Sequence, residues 1–336
     1  MKGILLVNLG SPESPSVKDV KKYLGEFLMD ERVIDIPPFF RFLLVKGIIV
    51  NTRSKKSAKA YQSIWTKEGS PLIVNSEKLS KAISKKVNYP ISLAMRYGAM
   101  SIEKGLEDLH NQGVNEVLLM PLYPQYAMST TETVTVKAKE IQKEKFPEMY
   151  MEFLAPFYNR NEYIQTLVDS IKEVWDPNSF LLFSYHGLPE RHLRKSDPTK
   201  SHCLASADCC STDSLAHKTC YRHQSYSITK SVVSKLGLSE GSYMTSFQSR
   251  LGSDPWLQPY TDSSLIELAH SGKKNVQVVA PSFVSDCLET LEELEIENAE
   301  NFKEAGGENF SYIACLNDSD RWVEVLKSWC DDWIEN

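Results

Sequence analysis

The sequence predicts an α/β protein made of two similar Rossmann-like domains, each a doubly wound parallel sheet, facing a central cleft. Three observations carry this. Leu181-Leu182-Phe183-Ser184-Tyr185-His186-Gly187-Leu188-Pro189 is an apolar run that breaks at a Gly and a Pro, as a buried parallel strand does. Ile4-Leu5-Leu6-Val7-Asn8-Leu9-Gly10-Ser11-Pro12 has the same shape, with Leu9 in the place of His186. Strand-like and helix-like segments alternate after both runs, the pattern of βαβ units, in a chain of 336 residues that suits two domains of about 150 each.

In chain order the first half reads as strand 3–8, helix 17–27, a greasy segment 37–50, helices 54–65 and 73–87, strand 91–97, helix 101–112, strand 116–122, helix 131–144 and strand 149–155. The second half reads as strand 179–185, a Cys-rich piece, helix 222–235, strand 241–247, helix 262–271, strand 275–280, helix 286–299 and strand 310–315. Met95-Arg96-Tyr97-Gly98 and Phe247-Gln248-Ser249-Arg250 occupy matching places in the two halves. The expected domains are 1–157 and 158–317, the second with a Cys-rich insertion over about 199–221, and a final helix over about 318–336 is expected to pack on the first.

Residues 37–50, with Arg41 and Lys46 among aromatic and aliphatic side chains, are too short and too charged to span a bilayer. They suit either a core helix or an interfacial anchor whose bases snorkel to the headgroups, hence peripheral membrane association. The net charge of -6 and pI near 5.8 lack the basic face that a general nucleic-acid binder needs. The amino terminus enters a strand within three residues and shows no signal pattern, so a cytoplasmic protein is expected. Its seven cysteines are then metal ligands or buried thiols rather than disulfides.

Three constellations carry chemistry. His186 stands at the carboxyl end of a strand, the edge at which open α/β sheets bind ligands. Glu289, Glu293 and Glu297 recur every four residues after Ser285-Asp286-Cys287-Leu288, so they share a helical face that is either a solvated acidic surface or a carboxylate-lined path for cations and protons. Cys203, Cys209, Cys210 and Cys220 fall within eighteen residues of polar loop, beside His202, His217 and His223. Such a loop buries little without a bound centre, and either zinc or a 2Fe-2S cluster satisfies four thiolates. Trp256, Tyr123, Tyr126, Phe27 and Leu28 add apolar surface suited to a large flat ligand, although Trp256 equally suits a hinge.

These residues resemble the ferrochelatases, which insert ferrous iron into protoporphyrin IX. The likeness rests on Leu6-Val7-Asn8-Leu9-Gly10-Ser11-Pro12, Tyr23-Leu24-Gly25-Glu26-Phe27-Leu28, Met95-Arg96-Tyr97, Tyr123-Pro124-Gln125-Tyr126, Ser184-Tyr185-His186-Gly187-Leu188-Pro189, Pro255-Trp256-Leu257 and Ser285-Asp286-Cys287-Leu288-Glu289-Thr290-Leu291. It implies a porphyrin held between two Rossmann-like domains, with His186 and Glu289 as the catalytic pair, and Glu293 joining them as a metal-binding acid. By the same resemblance Leu9, Phe27, Leu28, Arg96, Tyr97, Tyr123 and Trp256 lie against the macrocycle. Cys287 stands where many members have a second histidine, and Leu9 where some have tyrosine or methionine. Animal members take one cluster ligand after the Tyr-Pro-Gln-Tyr motif, where this chain has Met128, and three from a carboxyl-terminal triplet, where it has Cys330 alone. Some bacterial members instead carry four cysteines in an internal insertion, which implies a 2Fe-2S cluster on Cys203, Cys209, Cys210 and Cys220, with zinc as the alternative. The other readings of the chain are a chelatase for another tetrapyrrole and a non-catalytic haem or iron-sulfur sensor.

Overall fold

The computed structural model describes residues 1–252 and 254–336; Ser253, in the stretch before Trp256, lies outside them. The chain divides into two compact units: Met1–Tyr123 with Met128–Ala155 and Asn317–Asn336, and Pro124–Ala127 with Pro156–Leu316.

Unit 1 holds strands β1 (Lys2–Asn8), β2 (Ile91–Met95), β3 (Glu116–Pro121) and β4 (Tyr150–Phe153), all parallel, in the order β2-β1-β3-β4. β1 is buried on both faces, which is why it reads as an unbroken apolar run. Leu5 and Val7 pack with Ile102, Leu106, Val134 and Ala138 of the helices Ile102–Asn111 and Thr133–Lys145. The terminal helix Asp320–Glu335 docks on this unit: its Trp333 and Ile334 carbonyls accept from Lys2 Nζ at 3.0 and 3.2 Å, and Cys330 Sγ lies 3.5 Å from Met120 Sδ.

Unit 2 repeats the plan with β5 (Phe180–His186), β6 (Tyr243–Gln248), β7 (Asn275–Val279) and β8 (Asn309–Ile313) in the order β6-β5-β7-β8. Phe180 and Leu182 pack with Leu265, Leu268, Leu294 and Phe302. On the other face Tyr185 reaches the helix Tyr221–Leu236, its hydroxyl 2.8 Å from Thr229 Oγ1. In each unit the first strand is the second in the sheet, so the chain leaves it first to one side and then to the other. Ligands gather at the carboxyl edge of such a switch point, and His186 occupies that edge in unit 2 as Leu9 does in unit 1.

The structure changes three expectations. Asn161–Val174, which leads into β5, is a helix that the sequence reading did not name. Residues 286–299 do not form the expected α-helix: Glu289–Asn298 is π-helical and passes into the short α-helix Ala299–Glu304. The greasy segment is likewise split into the helix Pro38–Phe42 and the π-helical Leu43–Ile49, which run on into Val50–Ile64. Among the described residues, no helix is long and apolar enough to cross a membrane.

Candidate active site

β5 carries His186 to the edge of its sheet. The ladder to β6 extends as far as His186 opposite Gln248, whereas the ladder to β7 stops at Phe183 opposite Val279. The His186 amide instead donates to Ser282 Oγ, at 3.2 Å. Gly187 follows because a Cβ there would come within 2.7 Å of the Gln248 carbonyl oxygen and 3.4 Å of the Trp256 ring. His186 Nδ1 lies 2.6 Å from the Gly187 carbonyl oxygen. A carbonyl can only accept, so Nδ1 carries a proton, and in the neutral ring it is Nε2 that presents a lone pair. The Phe283 ring meets the imidazole edge-on at 6.2 Å.

Glu289 begins the π-helical stretch, a backbone form that is rare and concentrates at functional sites. Glu289 and Glu293 are half-buried and Glu297 is exposed, so the carboxylates climb from the interior to solvent. Gln248 ties this ladder to the sheet: its Nε2 donates to the Glu289 carbonyl at 2.7 Å, and its Oε1 accepts from Ser184 Oγ at 2.8 Å. Ser249, in the left-handed region at φ 57°, points both its amide (2.8 Å) and its hydroxyl at the Glu293 carboxylate. A cavity of about 110 Å³ is lined by Gly187, Ser249, Trp256, Glu293 and Glu297. Beside Glu289, burial holds the Cys287 thiol well above its ordinary range, and the Glu289 charge adds to the shift, so the thiol stays a neutral donor to that carboxylate.

Burial pushes Glu293 up to about 7; the Ser249 hydrogen bonds oppose that rise and the Glu289 charge adds to it. Between the ordinary value and about 7, the folded protein keeps a proton that the unfolded chain has released, so stability falls as pH rises through that window. Glu293→Gln is expected to flatten this decline in a series of thermal melts between about pH 5 and pH 7. A slope equal to that of the unmodified protein would trace the decline to another group.

Unit 1 gathers rings at its own sheet edge. Phe27 meets Tyr97 edge-on at 5.1 Å, the Arg96 guanidinium lies 4.4 Å above the Tyr97 ring, and the Tyr97 amide donates to the Leu9 carbonyl at 2.9 Å. Arg96 is anchored by its charge contact with Asp30 and by Nε donating to Thr133 Oγ1 at 2.7 Å. Burial raises Asp30, but bonds from Thr133, the Arg32 amide and Tyr97, with the Arg96 charge, hold it below the usual carboxylate value. Tyr123 is buried and its hydroxyl has no hydrogen-bond partner among the described residues; burial pushes that phenol well above its ordinary range. Leu28 is buried and packs with Ile34, Val45, Ile49 and Val50, in a cluster against which Phe27 also packs.

In the cysteine loop, Asp197 Oδ2 accepts the amides of His202 (2.8 Å) and Cys203 (2.9 Å), and Oδ1 accepts from the Thr199 amide and hydroxyl. His202 Nε2 and His217 Nε2 lie 2.7 and 3.0 Å from the Cys209 carbonyl oxygen, and His223 Nδ1 lies 2.7 Å from that of Cys210. Each of these nitrogens therefore donates a proton and is not a metal donor. His217 and His223 stack at 3.6 Å. Cys203, Cys209 and Cys220 are buried, Cys210 half so. Hydrogen bonds from Cys210 and Cys203 lower the Cys220 thiol, against its burial. Among the described residues, no three His, Cys, Asp or Glu side chains converge closely enough to hold a metal ion, whether in this loop or around His186, Glu289 and Glu293.

Sequence reasoning missed Gln248, Ser249, Ser282, Asp30 and Thr133, which hold the candidate groups in place. The parallel of Phe247-Gln248-Ser249-Arg250 with Met95-Arg96-Tyr97-Gly98 was the signal for the first two.

The family model described as Ferrochelatase matches residues 1–332. The ferrochelatase of Opitutus terrae is 46% identical over 338 residues, covering 99% of this chain and 98% of that protein. The ferrochelatase of Pseudomonas syringae pv. tomato is 48% identical over 331 residues, covering 98% and 97%. Among solved structures, SirB from Bacillus subtilis with Fe3+ superposes with a TM-score of 0.56 at 13% identity, over 98% of this chain and 94% of that one. The sirohydrochlorin chelatase SirB from Bacillus subtilis subspecies spizizenii, in complex with cobalt, gives 0.52 at 11%, over 96% and 91%. At such identities the likeness to both SirB structures extends to the fold alone. A family match along nearly the full length, with relatives close to half identical over the same span, makes this chain a member of the ferrochelatase family.

Proposed function

We propose that His186 and Glu289 carry out the reaction of this family, in which ferrous iron enters protoporphyrin IX, two pyrrole protons leave and protohaem forms. One observation supports it above the others: an imidazole at the switch-point edge whose Nδ1 donates to the Gly187 carbonyl, so that the neutral ring turns its Nε2 lone pair to the reaction. Nε2 takes a pyrrole proton or holds the entering metal, and Glu289, at the start of the carboxylate ladder in the same unit, supplies the second proton acceptor. Glu293, held near neutrality between its two protonation states, and exposed Glu297 pass protons or iron between Glu289 and solvent. Trp256 walls the same cavity in unit 2. In unit 1, Leu9, Phe27, Arg96 and Tyr97 offer a surface for the macrocycle, and the orphaned Tyr123 hydroxyl offers it a donor; Leu28 belongs to the cluster on which Phe27 packs. An anaerobic insertion assay over a panel of tetrapyrroles tests this. Turnover of protoporphyrin IX with Fe2+ is expected, and a preference for sirohydrochlorin would assign the chain to another chelatase reaction.

Cys203, Cys209, Cys210 and Cys220 hold a 2Fe-2S cluster in this reading. Its support is a set of four thiols in one short loop, with one nitrogen of each neighbouring imidazole already committed to a backbone carbonyl. Insertion transfers no electrons, so a bound cluster has a structural or regulatory role rather than a redox one.

Residues 39–50 form the surface for peripheral membrane association. Phe39, Phe40, Phe42, Leu43 and Ile48 are exposed on short, consecutive helical turns. Arg41 departs from the expected role of a snorkelling base: it is buried, and its Nη1 donates to the Ile34 carbonyl at 3.1 Å. Lys46 remains exposed. The protein is expected to sediment with liposomes and to stay in the supernatant as the Phe39→Asp, Phe40→Asp double variant. Equal sedimentation of both proteins places the contact elsewhere.

A further inference from the structure

The cysteine loop and His186 are joined by a short chain of buried hydroxyls. Cys220 is the N-cap of the helix Tyr221–Leu236, so the next side chain along, Tyr221, has its position set by the end of the loop. Tyr221 is buried, and its hydroxyl lies 2.7 Å from Ser282 Oγ. Ser282 is also buried, and Oγ is the acceptor of the His186 amide. Because the β5–β7 ladder has ended three residues earlier, this hydroxyl stands where a strand carbonyl would otherwise hold the backbone of His186.

Both ends of the chain are fixed. Gln224, one turn into the helix, donates to the His217 and Lys218 carbonyls at 3.1 and 3.0 Å and accepts the Tyr126 amide at 2.8 Å, which ties the helix start to the loop. Beside Ser282, the Pro281 carbonyl accepts from Tyr163 Oη at 3.0 Å and from Gln125 Nε2 at 3.2 Å. Between these fixed ends lies the Tyr221–Ser282 pair, where either hydroxyl can donate. In a dry interior such a bond is strong and directional, so its loss lets the end of β5 relax.

We infer that Tyr221 and Ser282 are positioning residues for His186, and that they transmit the order of the cysteine loop to it. The positioning stands on the hydrogen bonds alone; the dependence on a bound centre rests on the reading of the four cysteines given above. Both hydroxyls are buried and spend their bonds on each other and on the His186 backbone, so their effect falls on the rate of the step that His186 serves and not on substrate affinity.

Tyr221→Phe and Ser282→Ala, each measured in the full-length protein, are expected to lower kcat about tenfold while leaving the porphyrin KM within about twofold. Ser282→Thr, which keeps a hydroxyl, is expected to retain the rate. The Tyr221→Phe, Ser282→Ala double variant should be no slower than the slower single one, because both cut the same chain. Unchanged kcat in the single variants, or losses that multiply in the double, overturn the positioning. Stripping the loop with a chelator, with loss of bound metal followed by elemental analysis, is expected to slow the unmodified enzyme but not Tyr221→Phe. Equal slowing of both overturns the coupling. A protein that never carries iron or zinc in the loop overturns the coupling together with the cluster reading, while the hydroxyl variants still decide the positioning of His186.

Discussion

His186→Ala is expected to yield a folded protein that inserts iron some 10²–10⁴-fold more slowly, the range spanned by one positioned proton acceptor. Folding should survive because the half-buried imidazole lies past the end of the β5–β7 ladder, and its packing neighbour Phe283 is itself only half-buried. The backbone bonds that matter to the sheet edge, from the His186 amide to Ser282 and from the Gly187 amide to the Gln248 carbonyl, do not need the side chain. The measurement is single-turnover loss of free-base porphyrin absorbance, alongside a thermal melt. A rate within threefold of the unmodified enzyme at unchanged melting temperature would remove the imidazole from the mechanism and leave Glu289 as the sole proton acceptor.

Anaerobically purified protein is expected to be coloured and to contain two irons and two sulfides per chain, the content of one 2Fe-2S centre. Cys220→Ser should lose that content and expose the loop to proteolysis, because binding energy at such a site appears as folding energy of the segment around it. Cys220 is the informative position. It is buried, it receives bonds from Cys210 and Cys203, and it caps the helix that carries Tyr221. A colourless protein with one zinc per chain would establish the other four-thiolate centre, and protein free of both metals would leave the cysteines as buried thiols. Asp197 makes the loop less dependent on any centre than its composition suggests, since its carboxylate accepts four hydrogen bonds from Thr199, His202 and Cys203.

The sequence by itself determined the α/β class, the twofold repeat of a strand ending in Gly-x-Pro, and the family. These depend on local pattern: an apolar run buried on both faces is legible wherever it occurs, and Gly10 and Gly187 mark where one backbone passes close to the next. It also determined which charged and aromatic residues stand at strand ends, because strand ends are punctuated by Gly and Pro. Only the tertiary structure decided how those groups are held. The apolar and acidic pattern of Glu289–Asn298 reads as an α-helix, and the wider i→i+5 turn of the π-helix that forms there is seen only in the folded backbone. Arg41 reads as a surface base until the Ile34 carbonyl is seen to claim it. Gln248, Ser249, Asp30, Thr133 and Ser282 are ordinary polar residues in the sequence, and each becomes informative only through a partner distant in the chain. Hydrogen bonds between remote residues leave no periodic trace, so the network that orients His186, Arg96 and the carboxylate ladder was decided by the fold.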